Sequence, residues 1–133
     1  MKNNRLLVVM SLLSALLTSL HVTDDIVRGI SPAARDNLGA VAILVVWLVG
    51  PLMLAESRWG YAIMLLGGIF SAGMPFLHVG GRSYMALAQS GGPGAFFFVW
   101  TLFACGAVGF LTMFLAIRAI WVQRRSRVGA IPR

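Results

Sequence analysis

The chain has 133 residues, of which 59% are apolar and 11% charged, with a net charge of +7. A soluble domain carries about 25% charged residues, so this composition leaves too little polar surface to cover a fold in water. The single cysteine, Cys105, excludes an intrachain disulfide and any CxxC redox or metal motif.

Four apolar runs punctuate the sequence, each near the roughly 17–25 residues that cross a bilayer. They predict one all-α domain over 1–133, an integral membrane bundle of four transmembrane helices in up-down-up-down order. The spans fall at about 6–22, 37–55, 61–78 and 95–120, with a basic tail over 121–133.

The first run, 6–20, follows the basic head that ends at Arg5. A basic head before a short apolar core resembles a signal peptide, but no A-x-A-like cleavage site follows, so an uncleaved helix extending through His21 and Val22 is expected. Ser31-Pro32 has the residue types of a helix start, an N-cap followed by a proline that does not need its N–H. Pro51 is placed to kink the second span, and 56–60 reads as a tight polar turn with Trp59 at the interface. The third span holds Gly67, Gly68, Ser71 and Ala72, two overlapping small-xxx-small pairs that let helix backbones approach closely. Pro75 is placed to bend its end, just before His78. A loop between Gly80-Gly81 and Gly91-Gly92-Pro93 has room for a short surface helix over 82–88. The fourth span opens on Phe96-Phe97-Phe98 and Trp100 and carries Gly106 and Gly109 as a small-residue face. Arg118, Arg124, Arg125 and Arg127 close it and suit anionic headgroups at a membrane surface.

Topology follows from the placement of the basic residues. With the N-terminus inside, Lys2, Arg5, Arg58, Arg118, Arg124, Arg125, Arg127 and Arg133 are cytoplasmic, and Arg28, Arg35 and Arg82 are outside. Eight against three satisfies the positive-inside rule, placing both termini in the cytoplasm and the protein in a plasma membrane. The positive charge thus serves topology, and nucleic-acid binding is not indicated. The bilayer is the expected partner, with a second membrane protein or another copy of the chain as a further one.

The densest group of ionisable residues outside the tail is 21–28, and both histidines fall at outward ends of spans on diagonal helices. If the first helix continues past His21, Asp24 and Asp25 lie one turn on, on the histidine's own face, with Arg28 a turn beyond. Three readings are open. In the first, His21 sits at a helix end favoured by the dipole and Asp24 forms a surface ion pair with Arg28, with no function attached. In the second, His21, Asp24, Asp25 and His78 hold a transition metal, or His21 and His78 ligate a haem b. In the third, the group is the gate of a small transporter or pH-responsive protein; the absence of ionisable residues from the middle of every span argues against ion coupling. No catalytic constellation is recognisable, so the expected function is a non-catalytic accessory or scaffold subunit, with the metal or haem protein and the transporter as alternatives.

Overall fold

The computed structural model describes residues 2–29, 34–79, 86 and 89–128. It is all-α, with α1 spanning Lys2–Val27, α2 Ala34–Met53, α3 Arg58–His78 and α4 Pro93–Val128. The Ser31-Pro32 start lies outside the described residues, as does the surface segment 82–88 apart from the helical Ala86.

The helices outrun the expected spans. α1 continues five residues beyond the expected 22, to Val27, and so carries His21 and Asp25 on one continuous face. α4 continues through Arg124 and Arg125 to Val128, so the first part of the basic tail is helical; its arginines favour helix and need no turn residue. The turn between α2 and α3 is shorter than expected. Ser57 caps α3, accepting a bond from the Gly60 N–H at 2.9 Å, and Arg58 already belongs to the helix. Three helices, α1, α3 and α4, are long and apolar enough to cross a membrane. α2 carries a further apolar stretch over Leu38–Met53. Pro51 sits in the last turn of α2, which ends two residues later. Pro75 is carried within α3, which runs on to His78 and closes with a Val79 N–H to Pro75 carbonyl bond of 2.9 Å.

α4 packs along both α3 and α1, while α2 lies against α1 and α3. At one end Asn4 donates to the Tyr61 hydroxyl (2.7 Å), and Leu7, Tyr61, Met64 and Ala116 form an apolar cluster. At the other end Leu17, Met74, Phe98, Leu102 and Cys105 form a second cluster, beside His21 and His78. α1 and α3 are therefore parallel and α4 runs against both. Small residues set the α3–α4 spacing. A Cβ on Gly68 would stand 2.8 Å from the Met113 backbone nitrogen, one on Gly106 would stand 2.7 Å from the Pro75 ring, and one on Gly109 would run into the Ala72 backbone. Gly67 instead receives the Trp47 ring of α2, and the Trp47 indole N–H reaches Ser11 at 2.9 Å.

The polarity of α1 is inverted. Its interior face carries Ser11, Ser14, Thr18, His21 and Asp25, all buried, while Leu6, Val9, Leu13, Leu16 and Leu20 are 38–56% exposed. The buried residues recur every three or four positions, one stripe of a helix.

Close packing gives a direct test. Gly68→Ala is expected to cost about 1–3 kcal/mol, because backbone must shift to admit the methyl group. Gly73→Ala, whose Cβ meets nothing within 4 Å, is expected to be neutral or slightly stabilising. Unfolding of the purified protein by titration with dodecyl sulfate ranks the two variants.

Candidate metal centre

The site is assembled by three helices at the end of the bundle where α1 and α3 finish and α4 begins. Helical spacing brings His21 and Asp25, four residues apart, onto one side of α1. His78, the last residue of α3, comes in across the bundle. The imidazole rings meet edge to face with centroids 5.1 Å apart. Asp25 bridges them: its Oδ2 is 3.0 Å from His78 Nε2 and 3.9 Å from His21 Nε2. Phe98 of α4, fully buried, packs 5.0 Å from the His21 ring and 6.0 Å from the His78 ring, closing the side away from water.

The outer hydrogen bonds assign the tautomers. His78 Nδ1 lies 3.0 Å from the Met74 carbonyl, which can only accept, so Nδ1 carries a proton. His21 Nδ1 lies 3.1 Å from Thr101 Oγ1. The Thr101 hydroxyl proton is directed to the carbonyls of Phe97 (2.9 Å) and Phe98 (3.1 Å), so the oxygen accepts from His21 Nδ1–H. With a proton on each Nδ1, both rings turn Nε2 toward the Asp25 carboxylate, and His78 Nε2 lies at hydrogen-bond distance, 3.0 Å, from Asp25 Oδ2. His21 Nε2 and Asp25 Oδ1 are buried without a hydrogen-bond partner, and His78 Nε2 faces a carboxylate oxygen. A buried imidazole nitrogen and carboxylate oxygen left without partners are unfavourable, and a shared cation would satisfy both. One ligand atom from each of His21, Asp25 and His78 falls within 4.8 Å of the others. Zinc binds imidazole nitrogen and carboxylate oxygen at about 2.0–2.2 Å, so side-chain adjustments on the order of 1 Å let all three reach one ion.

Of the other residues singled out in the sequence, Asp24 turns away from this group. Its Oδ2 takes the Arg28 Nε–H at 2.7 Å, and Arg28 also donates to the Gly94 carbonyl at 2.9 Å, tying the end of α1 to the start of α4. The bond to Asp24 raises Arg28 above its ordinary pKa and keeps it cationic. In this arrangement the two rings meet edge to face and share a carboxylate.

Several residues of the site escaped the sequence reading. Thr101 and the Met74 carbonyl orient the rings, and Phe98 walls them in. Thr18 donates to Ser71 at 3.0 Å and Ser71 to the Cys105 carbonyl at 2.9 Å, one turn further into the bundle. The recurrence of polar residues at 4, 11, 14, 18, 21 and 25 was the available signal, since three- and four-residue steps mark one helix face.

Comparison with known proteins yields no match: no family model fits the chain, and neither a curated protein nor a solved structure is similar to it.

The tautomer assignment is testable without metal. Thr101→Val keeps the shape and removes the acceptor, so His21 is expected to lose its preference for the Nδ1–H form. Nitrogen NMR of labelled histidine distinguishes the two ring forms; an unchanged His21 spectrum contradicts the assignment.

Proposed function

We propose that this protein is a four-helix integral membrane protein whose function centres on a divalent transition-metal ion held by His21, Asp25 and His78. The observation that carries the reading is the convergence of two imidazole Nε2 atoms and one carboxylate, each ring anchored from behind by a hydrogen bond. Two histidines and one carboxylate suit Zn2+ or Fe2+, and leave coordination positions open for water or an exchanging ligand. Hydrogen bonds behind the rings fix their orientation and raise their basicity.

The membrane part of the proposal rests on the inverted polarity of α1. A helix that exposes leucine and buries serine, threonine, histidine and aspartate is misplaced in water and well placed in lipid, where polar side chains pair with one another inside the bundle. α2 then crosses with the other three, its polar first turn at the outer surface. Both termini lie in the cytoplasm of a plasma membrane by the distribution of arginine, and the metal site lies at the outer end. The site is near the surface rather than at mid-membrane, so capture or sensing of an external ion fits it better than redox chemistry in the interior. Catalysis forms no part of the proposal.

Titration of the purified protein with Zn2+ is expected to give one ion per chain. Substituting His21, Asp25 or His78 by Ala weakens binding at least about 100-fold, whereas Asp24→Ala retains it within about twofold, since Asp24 is held by Arg28. Thr101→Val weakens binding about 10- to 100-fold, the usual effect of removing a residue that orients a ligand. Binding weakens as the pH falls, because protons compete for both Nε2 atoms. Absence of stoichiometric metal, or loss of it with Asp24→Ala alone, overturns the reading and returns the protein to the class of accessory subunits that act through a membrane-protein partner.

A further inference from the structure

At the opposite end of the bundle, we infer that Arg58 and Arg124 form a binding site for the phosphate of an anionic phospholipid headgroup. The two arginines come from different helices, the first turn of α3 and the last turns of α4, and line one cleft of about 400 Å3 with Trp59, Ala62, Ile120 and Gln123. Neither has a carboxylate partner among the described residues, whose one arginine ion pair is Arg28 with Asp24. Two guanidinium groups sharing a cleft without an acid repel each other, and an anion between them relieves that cost.

The rest of the cleft fits the remainder of a lipid. The Arg58 guanidinium lies over the Trp59 ring, 5.4 Å from its centroid, and a guanidinium can meet phosphate oxygens in a fork. Gln123, half-buried between this cleft and a neighbouring one lined by Asn4, Tyr61 and Arg118, supplies a neutral donor. Ala62 and Ile120 give the wall an apolar part, against which the first carbons of an acyl chain lie. Trp59 is 64% exposed, the placement of an interfacial aromatic beside headgroups. Arg125 does not join the site, since it stacks on Trp121 at 3.6 Å. The inference rests on the membrane reading but not on the metal, which binds at the far end.

The test uses the full-length protein in mild detergent. Phosphatidylglycerol or phosphatidylcholine is added, and bound lipid is counted by native mass spectrometry. Wild type is expected to retain phosphatidylglycerol at least about tenfold more tightly than phosphatidylcholine, equivalent to about 1.4 kcal/mol. The Arg58→Gln/Arg124→Gln double variant loses that preference. A double variant with the same change in charge at the same end, Arg5→Gln/Arg125→Gln, keeps it within about twofold. Equal losses in the two double variants show that net charge alone holds the lipid, and overturn the site; so does equal retention of both lipids by wild type. Displacement by inorganic phosphate shows that a free anion suffices, whereas lipid that phosphate fails to displace is held as an intact headgroup. All four arginines are exposed, so the fold survives, and unchanged helical circular dichroism checks this. Membrane insertion is read separately, by extraction of cell membranes with carbonate, so failure of the lipid site and failure of the membrane reading are distinguishable.

Discussion

The structure depends on one constraint: polar side chains that face the bundle interior have no water to turn to and must find partners across helices. A buried hydroxyl or amide left alone costs about 1–3 kcal/mol by mutational measures. Along α1 most of that cost is met. Asn4 reaches Tyr61 of α3, Ser11 takes the indole N–H of Trp47 from α2, Thr18 reaches Ser71 of α3, and His21 meets Thr101 of α4. Each bond joins α1 to another element, so the polar stripe sets which way α1 faces. In the lipid surroundings proposed for the chain, the apolar residues would not do this, because one leucine-covered face is as good as another there.

Where partners run out, the structure points to function. Among the described residues three buried side-chain polar atoms lack a hydrogen-bond partner: Ser14 Oγ, His21 Nε2 and Asp25 Oδ1. Ser14 is a single hydroxyl, the kind of group that one internal water satisfies. The other two belong to the same cluster and are joined there by His78. The hydrogen bonds on the outer side of both imidazoles turn their inner nitrogens toward a carboxylate, a donor set that suits a cation. A plain His78–Asp25 ion pair would neutralise part of the cluster but would leave His21 Nε2 unmatched. A shared ion satisfies all three groups at once.

Much of this was legible in the sequence. The number of helices and the direction in which they alternate followed from run lengths and turns, and the small residues of α3 and α4 marked faces for close packing without saying whether the partner lay within the chain or in another copy. The i to i+4 relation of His21 and Asp25 was visible once α1 was allowed to continue, and the alternation of spans put His78 at the same end. What stayed hidden were the facts that depend on how each helix is rotated. Asp24 and Asp25 are adjacent, and only the path of α1 over α4 shows that Asp24 turns out to Arg28 and Gly94 while Asp25 turns in. Thr101 is a lone hydroxyl in a run of aromatics, and nothing local marks it as the residue behind His21. Matched depth on diagonal helices likewise does not reveal that the rings meet edge to face.

The most direct test of the account is X-ray absorption at the metal edge of the Zn2+-loaded protein. Ligation by His21, Asp25 and His78 predicts nitrogen and oxygen neighbours at about 2.0–2.2 Å, with outer-shell scattering from two imidazoles that drops to one in either single histidine variant that still retains metal under excess Zn2+. A spectrum without imidazole scattering, or one that the histidine substitutions leave unchanged, contradicts the assignment of the ion to this cluster.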